Sequence, residues 1–359
     1  MTPTRSAPAL AVVGATGAVG SVLLQILSQR ADVWGGIRLI ASSRSAGRRL
    51  AVRGEETEVL ALTEDAFDGL GPGDVVVFVT PDEVSARWAP LVAARGACAV
   101  DQSGAFRTDP DVPLVVPELN PSAAHYRPRG IVSGPGCATL ALAVAVAPLH
   151  AELGLTGLTA SSYQAVSAAG RAGVAALRRQ LAVVARTDGL GEQSGDVRRA
   201  VGDDLGPFAA PLALNVVPWS GTPAGDGWSS EEMAVRAETR KVLGLDALPV
   251  SVTCVRVPVV TGHSLSVRAV FEAEVDVARA HEILAAAPGV VLVDDPETGE
   301  FPTPADAVGT DPAWVGRVRR SLDDPHGLEF FVSMDNLRKG AALNAAHIAE
   351  LLAAESASA

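Results

Sequence analysis

Cys137 stands in the stretch SGPGCATL, after a glycine-rich turn and directly before a long Ala/Leu/Val run. A cysteine at the start of a helix holds its sulfur near the positive end of the helix dipole, which favours thiolate over thiol and makes a nucleophile. Cys98, in GACAVD, and Cys254, in VTCVRV, lie inside apolar strand patterns and read as core residues. Position alone leaves Cys137 divided between a structural and a nucleophilic reading, so its partners decide. The stretch CVRVPVVTGHSLSV supplies two. His263 falls in a turn between two strand patterns, off the apolar face, where it is expected to reach a pocket. Arg256 is a charge amid valines, and a buried guanidinium must meet a carboxylate, either the protein's own or a substrate's. Gln164, in SYQAVSAAG, ends a strand beside a small-residue loop.

A second kind of chemistry is written near the N-terminus. GATGAVG places Gly14, Gly17 and Gly20 between a predicted strand and a predicted helix. Such glycines let the backbone approach a pyrophosphate, which then sits on the free N–H groups of the helix start, here around Thr16, Ala18 and Val19. A site for NAD wants Asp or Glu at the end of the second strand to bind the ribose hydroxyls. The sequence instead has Ser42, Ser43, Arg44 and Ser45, hydroxyls and a guanidinium suited to a 2′-phosphate. NADP is the expected cofactor, with Arg44 its main discriminator.

The elements that must position these groups follow from periodicity. Leu10–Val13, Ile37–Ala41, Val75–Thr80 and Ala97–Asp101 read as buried strands, and Val19–Gln29 has helical spacing. The alternation implies a parallel, doubly wound sheet. Beyond residue 133 the pattern predicts an apolar helix from Ala138, a strand over Thr159–Val166 and a helix over Arg171–Val184. A Gly/Asp/Pro-rich loop follows from about Asp188 to Ser229, then a charged helix SSEEMAVRAETRKVLG. Val250–Val260 and Ser264–Ala273 alternate as antiparallel strands with one wet face, and Gly340–Ala353 reads as a terminal helix. The fold class is therefore α/β, a Rossmann-type dinucleotide-binding domain joined to an α+β domain with a mixed or antiparallel sheet.

The bulk numbers limit the function. The chain has 359 residues, enough for two domains, and a formal net charge of −12, which argues against nucleic acid or an anionic membrane as main partner. Three widely spaced cysteines make neither a disulfide framework nor a zinc pattern, and no metal is expected. The opening MTPTRSAPALAVV has no apolar signal core, and the longest apolar run, Leu140 to Leu149, is too short to span a bilayer. A cytoplasmic enzyme is expected.

In chain order the motifs are GATGAVG, SSRSAG, DQSGAFR, VPELN, GPGCAT, SSYQAVSAAG, EEM…ETRKVLG, VRVPVVTGHS and DNLRKGAALNAAHIAELL. Together they resemble the aspartate-semialdehyde dehydrogenase family over nearly the whole length. The resemblance implies a Rossmann domain over 1–136 completed by a C-terminal helix over 337–359, and a catalytic and dimerisation domain over 137–336. It implies NADP, an amino-acid-like substrate, and a homodimer or dimer of dimers. The family interconverts aspartyl phosphate and aspartate semialdehyde through an acyl thioester on cysteine. The resemblance carries the nucleophile onto Cys137, the general acid/base onto His263 and the orientation of the acyl group onto Gln164. It carries the substrate carboxylate onto Arg256, the amino group onto Glu231 and the phosphate onto Arg107. Ser167 and Asn336 join the expected cofactor contacts.

Two departures stand out. The family's phosphate-binding asparagine, just before the nucleophile, is Gly136 here, and its lysine in an E-E-x-K run is Ala234. Each such contact is worth about 1.5–3 kcal/mol, so losing both weakens phosphate binding by roughly two to four powers of ten unless something compensates. Ala168 also stands where the family has glycine near the expected nicotinamide, and its methyl group would narrow that pocket. Family chemistry on an aspartate-like substrate is the leading expectation. The alternatives are a paralogue that uses a coenzyme A or carrier-protein thioester, one that oxidises a semialdehyde without phosphate, and a non-catalytic NADP-binding subunit.

Overall fold

The computed structural model describes residues 7–30 and 33–358; the first six residues of the N-terminal stretch discussed above lie outside that range. The chain forms two compact units, 1–136 with 340–359 and 137–339.

The first unit contains β1 (Ala9–Val13), α1 (Ala18–Gln29), β2 (Gly36–Ala41), β3 (Arg49–Val52), β4 (Glu55–Ala61), β5 (Val75–Phe78), α2 (Asp82–Ala94), β6 (Cys98–Asp101) and β7 (Ile131–Ser133). Its seven strands run in the order β3-β4-β2-β1-β5-β6-β7, all parallel to their neighbours except β3, which is antiparallel to β4. Successive side chains alternate between two buried layers. Leu10, Val12, Val75 and Val77 share one core with Leu23, Leu24 and Leu27 of α1 and with Ile348 and Leu352 of the C-terminal helix. Ala11, Val13, Val76 and Phe78 share the other with Trp88, Ala89 and Val92 of α2. Two buried faces require the nearly continuous apolar strands that the sequence shows. The β3–β4 hairpin, not foreseen from the sequence, turns at Arg53 and Gly54, whose φ values of 56° and 78° match the twist of a hairpin loop.

The second unit contains α3 (Cys137–Leu153), β8 (Leu155–Gln164), α4 (Gly170–Val184), α5 (Asp196–Val201), α6 (Ser230–Leu243), β9 (Val250–Arg256), β10 (His263–Phe271), α7 (Val277–Ala286), β11 (Val290–Leu292), α8 (Pro304–Ala307), β12 (Ala313–Arg320) and β13 (Gly327–Met334). The last helix of the chain, α9 (Asn344–Ser358), belongs to the first unit. The six strands order as β11-β12-β13-β10-β8-β9. From Ala138 to Val146 every residue of α3 is buried, as a helix apolar all round must be. It packs on β8, β10, β12 and β13 and between α6 and α7.

β9 departs from the antiparallel reading: it pairs with β8 in parallel, whereas β10 is antiparallel to β8 and β13 as expected. The sequence boundary at 336/337 also falls three residues later, at 339/340. Leu337 and Arg338 account for that shift: their amides donate to Asp335 Oδ1 at 2.9 and 2.8 Å, and Asp335 Oδ2 accepts from the Gly309 amide of the second unit at 2.8 Å. Among the described residues no helix is long and apolar enough to cross a membrane.

Candidate active site

The register of three strands assembles the polar core of the second unit. Gln164 ends β8 and pairs with Arg256, which ends β9. On the other side β10 pairs Ser264 with Tyr163, so His263, the first residue of β10, stands beside Gln164. One end of the sheet thus carries Arg256, Gln164 and His263 in a row.

α6 brings the fourth member. Its N-terminus is fixed by a capping box: Ser229 Oγ accepts from the Glu232 amide at 3.3 Å, and Glu232 accepts from the Ser229 amide at 2.8 Å. Glu232 also accepts from the Cys254 amide at 3.0 Å, which ties the start of α6 to β9. Glu231, held between these anchors, accepts from Gln164 Nε2 at 3.3 Å. Arg256 donates to Ala165 O at 3.2 Å and to Ser220 Oγ at 2.7 Å, and Ser220 donates to Gln164 Oε1 at 3.0 Å. Ser220 had no signal in the sequence, because it lies in an aperiodic loop far from the other members.

His263 differs from its expected setting. It is fully buried rather than in an open turn, because β10 is an inner strand covered by α3. Its Nδ1 accepts a hydrogen bond from the Ala165 amide at 3.1 Å, so a neutral ring carries its proton on Nε2. Nε2 is buried and has no hydrogen-bond partner in the protein. Burial, and then the Arg256 charge, push the ring down to about 3, so it is neutral at physiological pH.

Cys137 is the first residue of α3 and is partly exposed. The other two thiols are placed otherwise. Burial pushes Cys98 up to about 11 and Cys254 up to about 12; Cys254 is a buried core residue of β9, and Cys98, in β6, is partly buried against the core of the first unit. Ala234 lies one turn after Glu231 on α6, partly buried.

The loop after β8 is locked against the segment before β10. Val166 and Ser167 donate to the carbonyls of Val259 and Val260 at 2.9 and 3.0 Å. Asn336 donates to Ser167 Oγ at 2.9 Å and accepts from the Gly262 amide at 2.8 Å. Ser167 and Asn336 are thus joined to each other and buried. Ala168 in the same loop is exposed, and its φ is not positive, so its backbone does not require glycine.

In the first unit the glycine loop has the features a dinucleotide needs. Gly14 has φ +92°, and a Cβ there would meet Val79 O at 2.4 Å. A Cβ on Gly20 would meet Gly14 O at 2.2 Å, so α1 rests directly on the loop. Gly17 is the N-cap of α1, no side chain caps the helix, and Ala18 and Val19 begin it. Thr16 Oγ1 donates to Ser45 Oγ at 3.3 Å, joining the glycine loop to the turn after β2. Ser42, Ser43 and Arg44 are exposed there, with no carboxylate among residues 42–48. Backbone donors at an uncapped helix start, beside hydroxyls and a guanidinium, fit a dinucleotide with a 2′-phosphate. Arg107 staples two loops of this unit, donating to Gln102 O at 2.8 Å and Gly134 O at 3.1 Å. No group of His, Cys, Asp and Glu among the described residues could hold a metal ion.

Known proteins share the domains and the fold of this chain. Residues 9–126 match the semialdehyde dehydrogenase NAD binding domain, and residues 146–339 match the semialdehyde dehydrogenase dimerisation domain. Aspartate-semialdehyde dehydrogenases of Corynebacterium melassecola and Corynebacterium glutamicum are each 47% identical over 347 residues, 96% of this chain and 98% of theirs. The chain belongs to the aspartate-semialdehyde dehydrogenase family. The crystal structure of aspartate semialdehyde dehydrogenase II from Vibrio cholerae superposes with a TM-score of 0.86 at 34% identity, covering 96% of this chain and 98% of that one. The same Vibrio enzyme complexed with ASA gives 0.87, at 34% identity and 97% and 98% coverage. Family membership makes the α/β architecture and the nicotinamide-dinucleotide unit properties of this chain.

Proposed function

We propose that this chain interconverts L-aspartate 4-semialdehyde and L-aspartyl 4-phosphate with NADP, through an acyl thioester on Cys137. The observation that carries the reading is the row of partly buried Arg256 and fully buried Gln164 and His263, with Glu231 bonded to Gln164, in the unit whose longest buried helix begins at Cys137.

The thiolate of Cys137, favoured by the positive end of α3, attacks the aldehyde carbon. Arg256 uses two of its five donors on Ser220 and Ala165, and the remaining three are available to a substrate carboxylate. Glu231 supplies the negative charge that a substrate ammonium needs. The alkoxide formed on attack meets His263 Nε2–H, a donor already desolvated and without another partner. Because this donor stabilises the alkoxide directly, the oxygen need not be protonated before it collapses to the thioester carbonyl. Gly14, Thr16, Gly17, Ala18, Val19 and the Ser42–Arg44 turn would hold NADP, which would supply the hydride acceptor, and Ser167 and Asn336 would border its nicotinamide side. Phosphate, bound through Arg107 and backbone amides, then displaces the sulfur.

The dimerisation-domain match supports a homodimer, or a pair of such dimers, as the working form. Three cysteines that form no disulfide with one another support a cytoplasmic setting. The reading is tested by following NADPH with purified protein, NADP, aspartate semialdehyde and phosphate. Saturable, phosphate-dependent NADPH formation that Cys137→Ala abolishes is expected. A phosphate-independent rate would point to water or another acyl acceptor.

A further inference from the structure

Gln164 and Arg256 are held in place by a third residue. Ser220, 3% exposed, lies in the loop between α5 and α6. That loop is fastened on both sides. Val217 and Arg256 exchange backbone hydrogen bonds at 2.9 and 2.8 Å, and Thr222 and Ser230 are joined at 2.7 and 2.9 Å. Gly221 permits the close passage, with φ +88° and an ideal Cβ only 2.3 Å from Ser230 Oγ. The Ser220 hydroxyl is therefore presented by a segment anchored to the strand that bears Arg256 and to the helix that bears Glu231.

The direction of its hydrogen bonds is set by chemistry. A guanidinium can only donate, so Ser220 Oγ accepts from Arg256 Nη2 at 2.7 Å. The single hydroxyl proton then goes to Gln164 at 3.0 Å, and the atom receiving it must be the amide oxygen. That orients the Gln164 amide, with Nε2 turned to Glu231 at 3.3 Å. The row Arg256, Ser220, Gln164, Glu231 thus donates in one sense from guanidinium to carboxylate, and the serine fixes that sense.

We propose that Ser220 is a positioning residue for this reaction: it sets which face of the Gln164 amide meets the substrate and fixes the rotation of the Arg256 fork. The inference rests on the site reading given under Proposed function. Without the hydroxyl, Gln164 Oε1 and Arg256 Nη2 lose their common partner and the amide is free to turn over.

Two measurements separate the inference from that reading. Wild-type turnover of aspartate semialdehyde reports on the function. The side-chain amide resonances of Gln164, assigned by their loss in Gln164→Ala, report on Ser220 whether or not turnover is seen. In Ser220→Ala these resonances should shift and broaden, and in Ser220→Thr, which keeps the hydroxyl, they should stay near their wild-type positions. In kinetics, Ser220→Ala should raise KM for the semialdehyde about tenfold and lower kcat about tenfold, leaving KM for NADP unchanged, with Ser220→Thr restoring both. Ser220→Ala in a Gln164→Ala background should lower kcat by less than it does in the wild type, since part of its effect passes through Gln164. Unmoved Gln164 resonances in Ser220→Ala would overturn the proposal. So would kcat losses that simply multiply in the double variant.

Discussion

The backbone amide of Ala165 donates to Nδ1 of His263 at 3.1 Å, and this contact decides what the histidine can do. With Nδ1 accepting, the proton of the neutral ring lies on Nε2, inside the site. Taking up a second proton would set Nδ1–H against the Ala165 N–H, in an interior that already penalises charge. Under the proposed function His263 acts as a neutral hydrogen-bond donor, where the family resemblance implies a general acid/base.

A substitution series tests that role. Asparagine retains an N–H donor and cannot carry a proton, whereas alanine retains neither. His263→Ala should lower kcat by about two to three powers of ten, the cost of one donor to a developing oxyanion. His263→Asn should recover at least about tenfold of that loss. If Asn and Ala are equally inactive while both fold, as judged by circular dichroism and melting temperature, proton transfer at His263 is required and the donor role is wrong.

Stability should follow the same ring. Its folded-state pKa, about 3, lies below the unfolded value of 6.5, so between these limits the unfolded chain binds the proton that the native ring refuses. The contribution is fully present above pH 6.5, declines as pH falls, and is exhausted near 3. Denaturant unfolding of wild type against His263→Asn from pH 8 to 4 should show wild type losing on the order of a few kcal/mol more than the variant. Parallel pH curves would contradict the assignment.

Selective alkylation provides a third test. Cys98 and Cys254 are pushed up to about 11 and about 12 and remain thiols at neutral pH. Cys137 is partly exposed at a helix start. Brief treatment with iodoacetamide at pH 7.5 should label Cys137 alone, read by peptide mass mapping, with activity lost in step. Labelling of Cys254 at a comparable rate would contradict its buried setting.

Cofactor choice should rest on Arg44. Removing a charge-assisted contact worth about 1.5–3 kcal/mol should raise KM for NADP roughly 10- to 100-fold in Arg44→Ala while leaving KM for NAD nearly unchanged. An unaltered NADP/NAD preference would remove Arg44 from the 2′-phosphate site.

Local signals made the first unit legible. GATGAVG between a strand and a helix locates its own turn, and strands buried on both faces announce themselves as apolar runs. Cys137 was likewise readable as a helix start, because the Ala/Leu/Val run after it can only be a buried helix. The β3–β4 hairpin escaped because Arg53, not Asn or Asp, occupies its left-handed turn position. The pairing in the second sheet escaped for a different reason. Alternation shows that Val250–Arg256 and His263–Phe271 are strands but does not name their neighbours, and the partner of both is β8, 92 residues before β9 and 101 or more before β10 in register. Ser220 was invisible for the same cause: its bonds reach 56 residues back to Gln164 and 36 forward to Arg256. The depth of His263 follows from strand order as well, since β10 lies between β8 and β13 and is covered by α3.

The central claim is an acyl thioester on Cys137, and a single-turnover experiment reaches it most directly. Protein mixed with excess aspartate semialdehyde and NADP, without phosphate, is followed by NADPH absorbance and intact mass. The account predicts a burst of NADPH equal to the active-site concentration and an aspartyl adduct on Cys137. Phosphate should then discharge the adduct and restart turnover, and Cys137→Ala should show neither burst nor adduct. Steady NADPH formation without phosphate and without an adduct, or an undiminished burst in Cys137→Ala, would contradict it.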